Sequence, residues 1–565
     1  MSLTIDPRID ARAPHGGEAR DQQGGNVAEE LAFARKASGL VRGLSMTDAF
    51  AVGFMNQGLT PSIWFAITFG LGVFLGGNLI IAALISFVLA GIGFPLVWGI
   101  LGGSMPRSGG EYIYNSRIVH PIFGIAQSFG DAMIWLLWIY VLAPLAIDPG
   151  LTITFTYLGW TGAADWVVSS SFITFLLATA FNVVGFLFVV FGMKIFALTQ
   201  KIVMFFGIGG CVVIGLVLTF SSRANFVAKW DAAAVSSGSP TYDGFIAKVG
   251  EAAGQAMPHT WSWGATLGCM VAMSWLFAYA YSISFIGGEV KRPDKTIIWS
   301  NFFAIGVPFV FMIWIAIVLN KTVGYQFLNA SAWNDQNGPI NGFNMPFGSN
   351  FIDLAVYTIG TKTWLTKLAA GYMGFSYVAF TLWWLALSYL AFPRILFAWG
   401  MDRMGPKWFT DINPRWASPV KNYIVCFVLG EGLLVLYYTL LTDQMQNIIV
   451  TGFQVTSVFI PTTIAALLFP YVKRAKGVWE SSPYKTWRFL GLPVVVWGAI
   501  TSFIYLGILL YYFVFNEAAK QFTTAGNIIL VAAWVLGIAW YLFWKQRSKK
   551  VGVDVSMTYG ELPPE

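Results

Sequence analysis

Charged residues are scarce in this 565-residue chain, in which Asp, Glu, Lys and Arg together make up only 11% of the sequence. Soluble domains carry about 25% charged residues and about 45–50% apolar ones, whereas 56% of this chain is hydrophobic. Such a composition cannot cover a water-facing surface, which excludes a soluble enzyme. The class that remains is a helical protein that crosses a lipid bilayer several times.

Cysteine and histidine are also rare, with three residues of each type. Cys211, Cys269 and Cys426 lie within apolar stretches and the histidines are dispersed, so neither a disulfide framework nor a metal-ligand cluster is predicted. A Gly-rich phosphate loop followed by Lys and Ser or Thr is missing, which argues against pumping driven directly by a nucleotide. We therefore expect no enzyme activity, no metal and no cofactor.

Twelve apolar stretches are long enough, at about 20 residues each, to cross a bilayer as helices. They lie at 46–70, 77–103, 121–146, 170–191, 196–220, 264–288, 297–319, 366–399, 420–441, 447–471, 489–515 and 525–544. The sequence thus predicts an all-α polytopic membrane protein with twelve transmembrane helices.

Positive charge is distributed unevenly between the segments that connect these stretches. With twelve crossings both termini lie on one face, and 27 of the 34 Lys and Arg residues fall on that face. The positive-inside rule then makes both termini cytoplasmic, and we expect a multi-pass protein of the plasma (inner) membrane. The same asymmetry explains the net charge of +7 without a nucleic-acid partner. The expected partners are the bilayer and a small solute, with the chain a monomer or a homodimer.

Helix-breaking residues occur at mid-depth in the first crossing. This segment reads Asn56, Gln57, Gly58, Leu59, Thr60 and Pro61. Pro61 removes a backbone donor and Gly58 permits unusual dihedral angles, so we predict a break. In a bilayer a broken helix persists only where it lines a cavity or is buried in protein. The alternative is a simple proline kink that binds no ligand.

The sixth crossing is unusually rich in aromatic residues. Its centre contains Trp275, Phe277, Ala278, Tyr279 and Tyr281, and it ends on two glycines at 287–288. Transporters use such interruptions because free helix ends attract carboxylates and cations. Packing or an interfacial belt is the alternative role for these rings.

Three polar motifs carry a family resemblance. Residues 106–112 (PRSGGEY) match "P-x-S-G-G-x-Y", residues 288–293 (GEVKRP) are similar to "G-E-V-K-N-P", and residues 394–414 are similar to the segment after the eighth helix. On these residues the chain resembles the amino acid, polyamine and organocation transporters over most of residues 40–470. The resemblance implies a leucine-transporter-like 5+5 inverted repeat with broken helices 1 and 6, two peripheral helices, and alternating access to a central site.

The resemblance also implies a division of the chain. It consists of a cytoplasmic tail 1–45, a ten-helix transport core 46–471 with repeats 46–220 and 264–471, two peripheral helices within 489–544, and a cytoplasmic tail 545–565. The long connections 221–263 and 320–365 are too short, by this interpretation, for a folded extracellular domain. They are expected to be either partly ordered lids over the outer mouth or plain solvated loops.

Departures from the family pattern concern the solute. The family's "G-S-G" break falls on Gln57, Gly58 and Leu59, and Tyr279 and Tyr281 lie where the family has a small residue or a glutamate. Trp275 falls where related exchangers place an aromatic gate. We expect a secondary active transporter of an amino acid or a related amine or carboxylate, or of an atypical planar or aromatic solute. An ion-conducting protein such as a potassium uptake system is the alternative. The predicted substrate-binding residues are Asn56, Gln57, Gly58, Leu59, Thr60, Trp275, Phe277, Ala278, Tyr279 and Tyr281.

Buried charge suggests how transport could be coupled to an ion. Asp131 lies about ten residues into the third crossing, and intramembrane acids are functional hypotheses by default; a structural hydrogen-bonding role is the alternative. Thr381 and Ser388 on the eighth crossing offer hydroxyls for Na⁺, although such groups often bond their own helix. The sequence therefore leaves three modes of transport open, which are symport with H⁺, symport with Na⁺ and solute exchange. Glu289 and Arg292 are predicted to be a cytoplasmic gate or loop-ordering pair.

Overall fold

The chain folds almost entirely as helices. The computed structural model describes residues 42–439, 450–522, 524–552, 555–559 and 562. Most of the predicted tail 1–45 and part of the predicted tail 545–565 lie outside these residues. One short antiparallel hairpin, β1 (Arg488–Phe489) paired with β2 (Leu492–Pro493), is the strand pairing in the described part. The predicted all-α class is confirmed.

The helices follow one another closely along the chain. In the first half they are α1 Met46–Gln57, α2 Leu59–Leu71, α3 Leu79–Ser104, α4 Glu111–Ile118, α5 Pro121–Leu158, α6 Thr161–Val167, α7 Ser171–Val190, α8 Met193–Thr219, α9 Arg223–Ser237 and α10 Tyr242–Ala252. In the second half they are α11 Trp263–Phe277, α12 Pro293–Thr322, α13 Tyr325–Asn337, α14 Phe351–Ile359, α15 Trp364–Met401, α16 Val420–Thr439, α17 Val450–Gln454, α18 Ile460–Leu468, α19 Lys476–Ser481, α20 Val494–Phe515, α21 Thr524–Lys550 and α22 Val555–Thr558. A 3₁₀ segment, Tyr279–Phe285, follows α11.

Membrane-spanning helices account for most of these elements. Within the described residues, ten helices are long and apolar enough to cross a bilayer, or up to eleven if the bent pair Gly452–Leu468 and Lys473–Ser481 counts as one span. The predicted first crossing is missing from this tally because it is divided into α1 and α2, of 12 and 13 residues. Neither half can span about 30 Å of hydrocarbon alone. The count of twelve stays a prediction.

The helix α15 forms the centre of the bundle. Its most apolar stretch is 89% buried, against 28% for α7 and α16 and 17% for the last crossing. It packs against α5, α7 and α8 and contacts α1. Burial therefore separates a central helix, which can carry polar groups, from outer helices whose apolar side chains would face lipid.

Two faces of the bundle are distinguished by their connections. We call the face that carries α9, α10, α13 and α14 the outer face, and these four helices the outer cap. The opposite face, where 105–120, 286–292 and 402–419 lie, is the inner face. The predicted lid segments belong to the outer cap, and most of the basic connections lie on the inner face.

An aromatic cluster holds the outer cap together. The Trp230 ring lies 4.7 Å from that of Phe327, 4.9 Å from Tyr357 and 5.2 Å from Phe245, measured between centroids. Trp230 is fully buried, and buried aromatic residues dominate the energetics of small cores. Each connection supplies two helices and the four share one core, so of the two expectations the plain solvated loops do not hold.

The outer cap is bonded to the outer half of the first crossing. The Asp335 carboxylate on α13 accepts hydrogen bonds from the Trp64 indole, at 2.7 Å, and from the Thr68 hydroxyl, both on α2. Charge-assisted bonds of this kind are about twice as strong as neutral ones. Movement of α2 therefore requires either movement of the cap or loss of these bonds.

The buried Asp353 carboxyl gives the outer cap a pH-dependent stability. Burial raises the pKa of Asp353 from 3.8 to about 7, although the Tyr157 hydroxyl donates to it at 2.6 Å. A pKa that is higher in the folded state means that the stability contribution is complete below pH 4 and is lost as the pH rises through 7. We expect Asp353→Asn to match the wild type in thermal unfolding at acidic pH and to exceed it at mildly alkaline pH.

The exposed acid Asp243 on α10 provides the matched control. Asp243→Asn removes the same charge from the same cap without relieving a buried carboxylate, so its melting temperature should follow the wild-type profile. A pH profile of Asp353→Asn that is indistinguishable from that of the wild type would contradict the assignment.

Candidate functional site

The first crossing is broken at Gly58, as predicted. Gly58 adopts φ +57° and ψ +63°, a left-handed conformation that ends α1 and begins α2. Pro61 occupies the first turn of α2, where its missing N–H costs no helical hydrogen bond. The Gln57 carbonyl freed by the break accepts a bond from the Ser62 hydroxyl. The break is a true change of helix and is more than a proline kink.

The sixth crossing changes character opposite this break. The α-helix ends at Phe277, and residues Tyr279–Phe285 continue as a tighter 3₁₀ helix. The Asn56 side-chain amide donates to the Tyr279 carbonyl at 2.6 Å, and the Tyr279 N–H donates to Gln57 Oε1 at 3.3 Å. The two interruptions therefore face each other and are joined by the side chains of the first.

Each of these amide side chains keeps one polar atom without a partner. Asn56 Oδ1 and Gln57 Nε2 are buried and make no hydrogen bond to any described residue. One is an acceptor and the other a donor. Buried polar atoms are normally bonded, so both atoms are available to a ligand.

The other predicted binding residues divide into two groups. Gly58, Leu59, Thr60 and Ala278 are buried at the two breaks. Phe277 instead packs on Phe87 and Phe309, with ring centroids 6.4 and 6.3 Å away, on the side of α3 and α12. Tyr281 lies further along the 3₁₀ segment and accepts a bond from Gln454.

A hydroxyl bridge connects the first crossing to α8 and α15. The Thr60 and Ser376 hydroxyls lie 2.6 Å apart, and Ser376 donates to the Gly207 carbonyl at 2.7 Å. Thr381, a predicted ion ligand, donates to the Tyr377 carbonyl of its own helix at 2.8 Å. Ser388 is buried with no recorded hydroxyl partner among the described residues.

An aromatic layer closes the site toward the outer face. The Trp275 ring is 4.3 Å from Phe65 and 6.4 Å from Trp138, and Trp138 lies 6.0 Å from Tyr279. Above this layer is a cavity of about 600 Å³ that Phe65, Trp138 and Trp275 line, and we call it the outer vestibule. Its volume falls within the range of about 300–1,000 Å³ that small-molecule sites occupy.

Acidic side chains differ in their partners. Asp131 on α5 is fully buried, and neither of its carboxylate oxygens has a hydrogen bond of normal geometry to a described residue. Glu431 on α16, by contrast, accepts bonds from Thr179, at 2.5 Å, and Asn182, at 2.9 Å. Hydrogen bonds therefore explain the burial of Glu431, but they do not explain the burial of Asp131.

The three sequence motifs meet at the inner face in one assembly, the inner closure. Ser108 forms a β-bridge with Ile286, and the Glu289 carbonyl accepts the N–H groups of Gly43 and Leu44 at 3.0 Å. Arg394 binds the Glu289 carboxylate at 2.8 Å. Distant parts of the sequence thus seal the inner ends of the first and sixth crossings.

The expected pairing of Glu289 with Arg292 was wrong. Glu289 is paired with Arg394 on α15, and both side chains are nearly fully buried. Arg292 begins α12 in a left-handed conformation with φ +48°. Sequence proximity suggested the pair, but the intervening turn directs the two side chains apart.

A second buried ion pair completes the inner closure. Arg117 on α4 holds both oxygens of Asp402, at 2.6 and 2.7 Å, and the Tyr112 hydroxyl donates to the same carboxylate at 2.6 Å. The Tyr559 ring from the C-terminal segment lies 4.9 Å from the guanidinium. A bidentate pair with a third donor fixes the geometry of α4 against the end of α15.

Sequence reasoning missed Trp138, Ser376 and Glu111. The last is a fully buried acid on α4 whose Oε1 accepts a hydrogen bond from the Trp98 indole. Trp138 and Ser376 lie on long apolar helices in which neither residue interrupts the pattern, so no local signal marks them. Glu111 was part of a recognised motif but lies outside the predicted crossings. A search for charged residues that flank crossings, as well as those inside them, would have found it.

Comparison with known proteins places these features in context. The sequence pattern of the amino acid permease family matches residues 57–552 of this chain. A cationic amino acid transporter of Arabidopsis thaliana, described as vacuolar, is 28% identical over 145 residues. That match covers 26% of this chain and about a fifth of the relative's length, 20%.

Proposed function

Because the chain belongs to the amino acid permease family, we propose that it is a secondary active transporter that binds an amino acid between its two broken helices and exposes it alternately to the two faces. The observation that carries this proposal is the meeting of the Gly58 break with the 3₁₀ segment through Asn56 and Gln57. Interrupted backbone at membrane depth occurs where a cavity or a bound solute needs it.

The two unpartnered amide atoms suit an amino acid's backbone. Asn56 Oδ1 can accept from an ammonium group, and Gln57 Nε2 can donate to a carboxylate. The side chain of the solute would then extend toward the rings of Trp138, Tyr279 and Trp384. Aromatic walls favour planar or cationic groups, so aromatic and cationic amino acids are the proposed substrates. The transporter of cationic amino acids among its relatives agrees with the second class.

Two closures would alternate during transport. The ring layer of Phe65, Trp138 and Trp275 separates the site from the outer vestibule, and the inner closure separates it from the inner face. Movement of α2 and of the 3₁₀ segment would open one while the other stays shut. By the positive-inside rule the inner face is cytoplasmic, and the proposed location is the plasma (inner) membrane.

Coupling to an ion gradient is part of the proposal. H⁺ or Na⁺ is the proposed coupling ion, with Asp131, Thr381 and Ser388 as the residues first considered. Thr381 already bonds its own helix carbonyl, which weakens it as a ligand, whereas Asp131 has no such bond.

The direct test is a thermal-shift screen of the purified protein with L-arginine, L-lysine, L-phenylalanine, L-tryptophan, L-leucine and L-glutamate. A ligand at about 100 times its Kd adds about 2.7 kcal/mol to stability. Radiolabelled hits are then followed into proteoliposomes. We expect stabilisation and uptake with at least one cationic or aromatic amino acid. If none of the six amino acids stabilises the protein or is taken up, the proposal is overturned.

Two substitutions locate the site. Gln57→Ala removes the unpartnered donor and a bond to Tyr279, and Tyr279→Ala removes a ring of the proposed wall, so both should weaken binding by about tenfold or more. Gln255→Ala, in an exposed turn of the outer cap, is the control and should bind as the wild type does. Unchanged affinity in both site variants would remove the pocket from between the breaks.

A further inference from the structure

Asp131 lies in a buried polar cluster on the inner side of the 3₁₀ segment. Its neighbour Gly130 packs so closely on α17–α18 that an added Cβ would lie 2.9 Å from the Ser457 hydroxyl. That hydroxyl has no hydrogen-bond partner among the described residues, and neither Asp131 oxygen has one of normal geometry, although the Trp135 side chain is close enough to interact with the carboxylate. Oxygen atoms of Asp131 and Ser457 that make no normal hydrogen bond therefore lie where α5 packs on residues 455–459.

Glu111 is the second acid of this cluster. It is fully buried, and its Oε1 accepts a bond from the Trp98 indole at 2.5 Å. The Ser284 hydroxyl lies 3.1 Å from the same oxygen and 2.6 Å from the Tyr281 carbonyl, so these two acceptors share its one proton. Glu111 Oε2 has no partner among the described residues. Ser284 belongs to the 3₁₀ segment, so Glu111 is tied to the part of the sixth crossing that would move.

Tyr281 links the two acids. Its ring lies 6.3 Å from Trp98, which holds Glu111, and 5.7 Å from Trp135, which is one helical turn beyond Asp131 on the same face of α5. The Tyr281 hydroxyl accepts a bond from Gln454, which leaves its own proton free to be donated. The two carboxyl groups act on each other and on this tyrosine electrostatically.

Neither acid has a counter-ion in the described part of the chain. Arg117 on α4 and Arg394 on α15 are the buried basic side chains among the described residues, and each is bound to another acid, Asp402 at 2.6 Å and Glu289 at 2.8 Å. An unpaired buried carboxylate costs several kcal/mol. Because the two carboxyl groups also repel each other electrostatically, sharing one proton lowers this cost.

The other groups that face the cluster do not neutralise it. Tyr114 and Tyr281 are the titratable neighbours, and both are neutral donors or acceptors at ordinary pH. Glu431, on the α16 side of α5, is bonded to Thr179 and Asn182. Lys473, Arg474 and the basic end of α21 are exposed. A cation must therefore come from outside.

We propose that Asp131 and Glu111 form the proton-coupling site of this transporter and share one proton that enters with the solute and leaves toward the inner face. The proposal rests on the proposed transport function. In the closed state the proton lies on one of the three carboxyl oxygens that lack a hydrogen bond, the two of Asp131 and Oε2 of Glu111. When the inner closure opens, the Ser284 bond to Glu111 breaks, water reaches the acids, and the proton passes to that water.

The surroundings favour a proton over a metal cation. Aromatic rings of Trp98, Trp135, Tyr281 and Phe285 form the walls, whereas a metal cation needs several oxygens arranged around it to replace its hydration shell. A proton needs a single acceptor. Burial also raises the pKa of Glu111 from 4.5 to about 7, where a proton can be taken up and released at physiological pH.

The experiment measures transport in proteoliposomes with radiolabelled L-arginine, L-leucine and L-phenylalanine under an imposed H⁺ or Na⁺ gradient, with pyranine as the pH reporter. In the wild type we expect an H⁺ gradient to drive accumulation and solute entry to carry protons. In Asp131→Asn and Glu111→Gln, accumulation should fall about tenfold or more and its pH dependence flatten between about pH 5.5 and 8. Exchange of labelled for unlabelled solute should persist, because exchange needs no net proton movement.

Asp165→Asn, which neutralises an exposed acid on α6, is the control and should keep the wild-type pH profile. A thermal-unfolding measurement shows whether each variant is folded, and two independent substitutions keep the test open should one fail to fold. A wild type driven by Na⁺ alone, variants with an unchanged pH profile, or variants that also lose exchange would each overturn the proton site. If the wild type neither takes up nor exchanges any probe, the transport function itself is overturned. That outcome is distinct from one in which the wild type transports solute but the proton site fails.

Discussion

Gly58→Ala is expected to abolish transport while leaving the protein inserted in the membrane. An alanine at φ +57° would be strained, and its Cβ would lie 2.9 Å from the Trp384 ring. A left-handed conformation costs a non-glycine residue about 1–2 kcal/mol, and Trp384 cannot yield easily because it stacks on Trp138 at 5.6 Å. The strain falls on the junction that positions Asn56 and Gln57. We expect initial uptake rates to fall by about 100-fold or more, since small misplacements of binding groups have effects of that size.

Gly306→Ala on α12 is the matched control. The same methyl group added there meets no heavy atom within 4 Å, and alanine stabilises a helix interior by roughly 0.5–1 kcal/mol relative to glycine. Its uptake should equal that of the wild type. Wild-type uptake by Gly58→Ala would show that the left-handed junction is dispensable, and the proposed site would lose its structural basis.

Asp402→Ala is expected to have the largest effect on stability. It would leave the Arg117 guanidinium, only 3% exposed, as an uncompensated charge and would deprive the Tyr112 hydroxyl of its acceptor. Removing one partner of a buried ion pair costs about 3–5 kcal/mol. We expect a large fall in the thermal-unfolding midpoint of the detergent-purified protein, together with a weakened inner closure.

Asp411 provides a closely matched comparison. It also forms an ion pair, with Lys421 at 2.5 Å, but the two side chains are 49% and 60% exposed. Exposed pairs contribute about 0–1 kcal/mol, so Asp411→Ala should leave the unfolding midpoint almost unchanged. Equal midpoints for the two variants would mean that the inner closure is held by packing and that the charge pair is incidental.

Local chemistry explains which parts of the fold the sequence could predict. The break at Gly58 was predictable because glycine and proline act through their own backbones. The composition alone required helices in a bilayer, and three short motifs indicated a family that the matched residues 57–552 confirm. The roles assigned to individual site residues stay predictions, although the structure brings Asn56, Gln57 and Tyr279 together.

Non-local geometry explains what the sequence could not predict. The pairing of Glu289 with Arg394 joins residues more than 100 positions apart, and nothing in either segment identifies the other. The outer cap folds because Trp230 meets Phe327 and Tyr357 from the second connection, whereas each connection alone is polar and irregular. Glu111 resembles an ordinary interfacial acid until Trp98 and Ser284 are placed around it.

The bonds from Asp335 to Trp64 and Thr68 connect the outer cap to α2, the outer half of the broken first crossing. A reagent that binds the cap could therefore act on α2. An antibody fragment that clamps α13 against its neighbours would immobilise α2 without entering the vestibule, and would trap the transporter at one stage of its cycle. Such a reagent needs no knowledge of the solute, so it offers a route to arrested conformations before the cargo has been identified.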